Sequence, residues 1–137
     1  MRQLTLILGL LLACVAVGSA WVDEGEVVKL TTFDAHARAH ETELWIVDVG
    51  GQRYLRADLP GAEWLARLRE RPEAELRRDG ARERVRALPV DDAAVREAVE
   101  RAMAEKYGIL DRLVGVVRDE ARVVPVVIEP LGPVAQH

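Results

Sequence analysis

The sequence predicts an α+β domain in which six mainly antiparallel strands form a small closed or half-closed barrel with two principal helices. Gly50-Gly51 and Asp79-Gly80 each separate two β-rich segments, which indicates two hairpins with tight turns. A helical hydrophobic pattern follows each hairpin. The length of 137 residues suits one domain, and a hydrophobic fraction of 50% is enough to build its core. The predicted order is β-β-β-α-β-β-α-β.

The first three predicted strands lie in the N-terminal half of the domain. Glu26–Thr32 is rich in β-branched residues, and the polar segment 33–40 after it suggests a loop or a single helical turn. Glu43–Val49 carries apolar residues on both faces, as a buried strand does. Gly50-Gly51 supplies the positive φ angles of a primed hairpin turn, and Arg53–Asp58 forms the returning strand.

A helix is predicted from Pro60 to Arg71, because proline is tolerated in a first turn and Pro72 ends the pattern. Its core stripe contains Trp64, Leu65 and Leu68. The second hairpin follows, with strands at Glu73–Arg78 and Ala81–Leu88.

The second helix begins after the capping residues Asp91 and Asp92 and runs to about Tyr107, before Gly108 in a typical C-terminal position. Residues 109–117 are predicted to form one more short helix. Arg122–Glu129 is the last predicted strand, and Pro125 suggests that it lies at an edge or a bulge.

The N-terminal residues predict export from the cytoplasm. Leu4–Val22 is an apolar run after Arg2, and the acidic patch 23–26 follows it. Three fates are open for this run: cleavage after Ala20, acylation of Cys14 in a lipoprotein-like box, or retention as a single membrane span. We therefore expect a cell-envelope protein that is membrane-anchored, periplasmic or secreted.

The expected division of the chain is a signal peptide or membrane anchor at residues 1–22, a barrel domain at 23–130 and a C-terminal tail at 131–137. Cys14 is the only cysteine, so the domain itself can hold no disulfide, thiolate metal site or cysteine nucleophile. The net charge of −4 argues against a general nucleic-acid binder. No nucleophile–base arrangement, phosphate-binding loop or zinc spacing is present in the sequence, so no catalytic residue is predicted.

The residues resemble the split β-barrel flavin-binding superfamily, and within it the small deazaflavin-dependent nitroreductase and quinone reductase family. The resemblance covers roughly residues 27–107. It rests on Val28-Lys29-Leu30-Thr31-Thr32, Arg38 before Thr42, Leu44-Trp45, Arg53-Tyr54-Leu55-Arg56, Trp64 followed by Leu68 and Pro72, and the Asp79-Gly80 hairpin.

The resemblance implies FMN or a deazaflavin coenzyme as cofactor. Its phosphate end would be held by Arg38, Thr42, Arg56 and Arg53, and Trp64 would lie near the ring system. The chemistry of such proteins is hydride transfer by the cofactor, here to a quinone or a nitro compound, which favours an oxidoreductase. A homodimer with the cofactor at the subunit interface is also implied.

Several of these residues have a simpler interpretation. Arg56 is about as well placed for a salt bridge with Asp58 or Glu63 as for a ligand. Trp45 and Trp64 fit a hydrophobic core better than a cofactor platform.

Two further patterns have both a functional and a structural interpretation. His36 and His40 are spaced to share one face of a helix and to ligate a metal or haem, but solvated loop histidines are the simpler interpretation. The alternating Arg82, Arg84 and Arg86 form either an anion-binding row or an outer strand face. In the second case they would pair with two acidic residues across the hairpin, Glu73 and Glu75.

The segment 33–40 contains no glycine, although the corresponding loop of the family is rich in glycine and serine. This favours an alternative function, that of a non-enzymatic barrel that has lost the cofactor. Such a barrel would bind a hydrophobic ligand, haem or an envelope partner.

Overall fold

A computed structural model of the chain describes residues 26–108 and 123–134. These residues form six strands and two helices. The strands are β1 (Val27–Phe33), β2 (Ala39–Val49), β3 (Gln52–Ala57), β4 (Glu73–Arg78), β5 (Ala81–Pro89) and β6 (Val124–Pro133). The helices are α1 (Glu63–Glu70), between β3 and β4, and α2 (Ala93–Tyr107), between β5 and β6.

The six strands close into a barrel in the order β1-β2-β3-β6-β5-β4, and every neighbouring pair is antiparallel. The predicted α+β class and the predicted order of strands and helices are therefore confirmed. Both hairpin turns are also as predicted. Gly50 and Gly51 have φ values of 58° and 78°, and Asp79 and Gly80 have values of 51° and 80°.

The barrel interior holds the main hydrophobic core. Alternate residues of each strand point inward, as the period of two in a strand requires. Fully buried examples are Leu30, Ile46, Leu55, Leu76 and Val85. The apolar face of α1 completes this core with Trp64, Leu65 and Leu68.

A second hydrophobic cluster lies outside the barrel wall, under α2. Val99, Met103 and Tyr107 of the helix pack against Val47 and Tyr54 of β2 and β3. The outer faces of β1, β4 and β5 carry charged residues instead, and neither helix packs its buried residues on them. The barrel therefore has a helix-covered outer side and a polar outer side.

The structure corrects three local predictions. The segment 33–40 is not a loop throughout, because β1 continues to Phe33 and β2 begins at Ala39, directly opposite it. A tight turn joins them, in which Asp34 accepts hydrogen bonds from the backbone N–H groups of His36 and Arg38. Ala37 adopts a φ of 60° in this turn, a conformation for which alanine gives no sequence signal.

The other two corrections concern α1 and β6. The helix begins at Glu63 and not at Pro60, and no side chain caps its first turn. Strand β6 pairs with both β3 and β5, so it is not an edge strand. Pro125 is tolerated because it is the second residue of β6 and precedes the first pair with β5, at Val126. The strand continues to Pro133, past the predicted end at Glu129.

Some predictions fall on residues that lie outside the described ranges. These are the leader with Cys14 and the short helix at residues 109–117. Within the described ranges, neither helix is long and apolar enough to cross a membrane.

Candidate functional site

The structure does not bring the five predicted cofactor residues together. Arg38 lies in the exposed β1–β2 turn, and Thr42 lies half-buried in β2. Trp64 is only 7% exposed and belongs to the barrel core, as its simpler interpretation predicted. Arg53 and Arg56 lie three residues apart on β3, so they point to opposite faces of the barrel wall.

Arg53 points into the barrel, near one open end. Its guanidinium group forms two hydrogen bonds with the Glu83 carboxylate on β5, at 2.8 and 2.7 Å. These strands are not neighbours, because β6 lies between them, so this ion pair crosses the barrel interior. Arg53 does not need an external anion, because the Glu83 carboxylate already accepts two hydrogen bonds from its guanidinium group.

Other charged side chains join this pair, and together they form the barrel-mouth cluster, defined as Glu26, Asp48, Arg53, Arg78 and Glu83. Arg78 bonds both oxygens of the Glu26 carboxylate, at 2.6 and 2.9 Å, and reaches Asp48 at 3.2 Å. Each of the three carboxylates therefore has a cationic partner. The hydrogen bonds from Arg78, and then those from Lys106, lower the pKa of Glu26 to about 2.

Helix α2 ties this cluster to the end of the strands. Lys106 donates to the Glu26 carboxylate at 2.7 Å and to the Ile46 carbonyl oxygen at 2.9 Å. The Tyr107 hydroxyl accepts from the Ile46 N–H and lies 2.7 and 2.9 Å from the carbonyl oxygens of Ile46 and Glu26. The pairing of β1 with β2 begins at Val27, opposite Trp45, and does not reach Ile46. The Tyr107 hydroxyl therefore bonds to the backbone N–H and C=O groups of Ile46 in place of a β1 residue. Burial raises the pKa of Tyr107 to about 12.

Arg56 points outward but lies under α2, and its side chain is only 3% exposed. It forms ion pairs with Asp58, at 3.1 Å, and with Glu100 of α2, at 3.2 Å. The predicted salt bridge with Asp58 is therefore present. The partner Glu100 comes from an element that the sequence alone could not place beside β3.

The Arg56 guanidinium carbon also lies 5.9 Å from the centre of the Trp45 ring, a cation–π contact. Trp45 also contacts Tyr107. The two rings are stacked with their centres 4.3 Å apart and an interplanar angle of 6°. Trp45 is half-buried and packs against the hydrophobic cluster outside the barrel wall. The prediction that Trp45 belongs to a hydrophobic core is therefore confirmed only in part.

A groove of about 300 Å³ opens beside this aromatic stack. We call it the Trp45 groove, and it is lined by Val27, Glu43, Leu44, Trp45, Arg56 and Asp58. It combines an apolar wall, an indole ring and a buried guanidinium group, which is a suitable composition for a flat heterocycle with polar edges. Arg56 was predicted from the sequence, whereas Tyr107 was not, although its helical spacing after Val99 and Met103 places it on the same face of α2.

The β1–β2 turn does not form the helical histidine pair that the spacing of His36 and His40 allowed. His36 lies in the turn, and His40 lies in β2, where its Nε2 atom is 2.9 Å from the Asp34 carboxylate. This contact, followed by the backbone N–H of Arg38, lowers the pKa of Asp34. Among residues 26–108 and 123–134, no group of three or more His, Cys, Asp or Glu side chains is arranged to hold a metal ion.

The arginines of β5 lie on the polar outer side of the barrel, as their structural interpretation predicted. Arg84 and Arg86 stand opposite Glu75 and Glu73 in the β4–β5 register. Arg82 forms an ion pair with Glu75 at 2.8 Å. These contacts are exposed, so their contribution to stability is small.

Comparison with known structures confirms the predicted split-barrel fold. Protein Rv2991 from Mycobacterium tuberculosis, described as a conserved hypothetical protein, aligns with a TM-score of 0.59 and 17% identity over 85% of this chain and 79% of its own. An F420-H2 dependent reductase (FDR-A) gives 0.60 and 14% over 76% and 94%. HutZ from Vibrio cholerae, described as a haem storage protein, gives 0.56 and 16% over 87% and 88%.

These identities are low, so the structural likeness establishes the fold alone. Among proteins of curated function, none matches the chain in sequence. A family model covers residues 21–127, which is most of the chain. The protein therefore belongs to the family described as uncharacterized protein conserved in bacteria (DUF2255) and folds as a split β-barrel.

Proposed function

We propose that this barrel binds a flavin or deazaflavin coenzyme, with the ring system in the Trp45 groove. The observation that carries the proposal is the Trp45–Tyr107 stack beside the buried Arg56 guanidinium group. A fixed indole ring gives a flat heterocycle a large contact area at little entropic cost. The fold is shared with an F420-H2 dependent reductase, which supports a redox coenzyme over other heterocycles.

The protein residues have separate tasks in this proposal. Tyr107 fixes the plane of the Trp45 ring through the stack, and the hydroxyl bonds to Ile46 and Glu26 hold Tyr107 in place. Asp58 and Glu100 hold the Arg56 guanidinium group, so its charge is already oriented before a ligand arrives. Val27 and Leu44 supply an apolar part of the groove lining.

The bound coenzyme would supply hydride transfer, with a quinone or nitro compound as acceptor, and the chain would supply position and electrostatics. A cation beside the ring system stabilises negative charge that develops there on reduction. Arg56 is the only one of the predicted cofactor arginines that lines the groove.

A second function is favoured by a different observation. Arg53 and Arg56 both have carboxylate partners already, and the β1–β2 turn presents the His40–Asp34 pair at the surface. An imidazole that is oriented by a carboxylate is a common arrangement among metal ligands. The alternative is therefore a non-enzymatic barrel that binds haem, a hydrophobic ligand or an envelope partner.

Titration of residues 22–137 with FMN, a deazaflavin coenzyme and haemin separates the two functions. The coenzyme proposal predicts saturable flavin or deazaflavin binding at micromolar concentration, weakened by about fivefold or more in Trp45→Leu, since one stacked ring contributes about 1–3 kcal/mol. The matched control is Leu59→Ala, an exposed apolar residue outside the groove. A Soret band with haemin, lost in His40→Ala, and no flavin binding would contradict the coenzyme proposal and support the alternative.

We also infer that the domain works in the cell envelope, tethered by or released from residues 1–22. The apolar run and its flanking charges support this inference. Fractionation of cells that express the full chain tests it. Recovery of the wild type in the membrane and of Cys14→Ala in the soluble envelope fraction indicates acylation, whereas cytoplasmic recovery of both proteins contradicts export.

A further inference from the structure

On the polar outer side of the barrel, the strand register places three cations in one row. Lys29 of β1 stands opposite Arg77 of β4, and Arg77 stands opposite Arg82 of β5. We call these residues the outer cation row. Like charges directly opposite each other on a sheet repel, so this arrangement is unfavourable unless anions compensate it.

The chain itself compensates only the two ends of the row. Lys29 lies 3.5 Å from the Glu41 carboxylate, and Arg82 lies 2.8 Å from that of Glu75. Within the residues that the structure describes, the central Arg77 has neither an ion pair nor a side-chain hydrogen bond. Three cations and two carboxylates leave a local charge of 3 − 2 = +1, on a chain with a net charge of −4.

A concave space of about 150 Å³ lies over this row. Lys29, Thr31, Glu41, Glu75, Arg77 and Arg82 line it together with Leu76. Guanidinium, ammonium and hydroxyl groups are the usual donors to a phosphate or carboxylate group. The pocket therefore has the size and the donors for one oxyanion, with Arg77 at its centre.

The pocket and the Trp45 groove lie on adjoining parts of the outer barrel surface and are joined through β1. Val27, opposite Trp45, lines the groove, and Lys29, two residues further along β1, lines the pocket. Trp45 and Arg77 are two strands apart and are offset by two residues along β1. The direct distance between their Cα atoms is therefore roughly 12 Å. A polyol phosphate chain attached to a ring in the groove can span such a distance.

We propose that the outer cation row is the phosphate-binding subsite for the ligand of the Trp45 groove. Arg77 makes the principal contact, and Lys29 and Arg82 assist it. Arg53 and Arg56 do not perform this task, because neither lines the pocket and carboxylates away from it hold both of them. The identity of the ligand rests on the proposed function, whereas the anion site rests on the register and the pocket alone.

The test compares FMN with riboflavin, which lacks the phosphate group, in the wild type, Arg77→Gln and Arg84→Gln. Arg84 is the matched control, since it is an exposed arginine outside the pocket on the neighbouring strand. We expect the wild type to prefer FMN and Arg77→Gln to lose about tenfold in FMN affinity, the equivalent of one charged hydrogen bond. Riboflavin affinity should not change in either variant. FMN affinity that is unaffected by Arg77→Gln overturns the inference and leaves the proposed function intact.

A second measurement keeps the subsite testable if no flavin binds. The thermal midpoint is measured in inorganic phosphate and in sodium chloride of equal ionic strength. A phosphate-specific rise in the wild type and in Arg84→Gln that is absent in Arg77→Gln supports the anion site, although the proposed function has failed. No phosphate-specific rise in the wild type, together with no flavin binding, overturns the inference.

Discussion

The barrel-mouth cluster and the outer cation row consist of the same residue types, but they differ in whether each charge has a partner. At the mouth, the Glu26, Asp48 and Glu83 carboxylates are all bonded to an arginine. In the outer row, Arg77 has no such partner among the described residues. Charges that point into a barrel must be paired because desolvation penalises them, whereas charges on an open sheet face are stabilised by water.

This difference separates structural charges from charges that are available to a ligand. In the mouth network each carboxylate has an arginine partner, and Arg78 and Glu26 link β4 to Asp48 of β2 and to Lys106 of α2. Its loss should therefore affect folding. The outer row should affect binding with little change in stability.

Arg56→Ala should have the largest effect, because Arg56 is buried on the outer side of the barrel but is fully paired. Its removal leaves the Glu100 carboxylate, only 15% exposed, without this cation. Breaking a buried ion pair on one side typically costs about 3–5 kcal/mol in the free energy of unfolding. Urea denaturation measures this quantity. The control Arg77→Ala should change it by less than about 0.5 kcal/mol, and equal effects in the two variants would contradict the distinction.

Acid should weaken the barrel mouth through Glu26. The pKa of this carboxyl is about 2 in the folded protein, below its ordinary value of 4.5. The stabilisation from Glu26 is therefore complete above about pH 4.5 and is lost as the pH falls towards 2. After allowance for solvent screening, it should be on the order of 1–2 kcal/mol.

The measurement for Glu26 is the free energy of unfolding between pH 7 and pH 2 for the wild type and Glu26→Gln. Arg53 also lowers the pKa of Glu83, so the variant keeps part of the acid dependence. Because the stabilisation from the Glu26 carboxylate is lost at low pH, the curves of the wild type and Glu26→Gln should converge there. Parallel curves across this range would show that Glu26 does not contribute in this way.

Tyr107→Phe should destabilise the protein by about 1 kcal/mol, because it removes the hydroxyl that serves Ile46 and Glu26 and keeps the ring. The stack with Trp45 should remain, so we expect flavin affinity to change less than in Trp45→Leu. Unfolding and binding measured on the same preparation check both statements. A loss of binding as large as that in Trp45→Leu would mean that the hydroxyl, and not the stack, organises the groove.

Arg84→Gln should have the smallest effect. Its side chain is exposed and stands opposite Glu75, which already bonds Arg82. We expect a change in the free energy of unfolding within about 0.5 kcal/mol and no change in the affinity for FMN. Loss of FMN affinity here would extend the anion site along β5 from Arg82 to Arg84.

The fold could be predicted from the sequence to a large extent because its main signals are local. Alternation within strands, the glycine-containing turns and the Asp92 cap each depend on a few adjacent residues. The start of β2 was missed because the preceding turn depends on Asp34 and on a left-handed Ala37, not on glycine.

The site was harder to predict because its contacts join residues that are distant in the sequence. Glu83 lies 30 residues from Arg53, and Glu100 lies 44 residues from Arg56. No local pattern indicates such partners. One part was nonetheless predictable: two strand residues that are three apart point to opposite faces, so Arg53 and Arg56 could not contact the same ligand group.

The most direct test of the outer-face site is a ¹H–¹⁵N correlation spectrum of residues 22–137 during titration with FMN. We predict that the perturbed backbone amides map to the outer surface of the barrel, at Val27, Lys29, Trp45, Arg56 and Arg77. The amides of the β1–β2 turn and those around the Arg53–Glu83 pair should remain unchanged. Perturbations confined to the turn or to the barrel mouth, or no perturbation at millimolar FMN, would contradict the account.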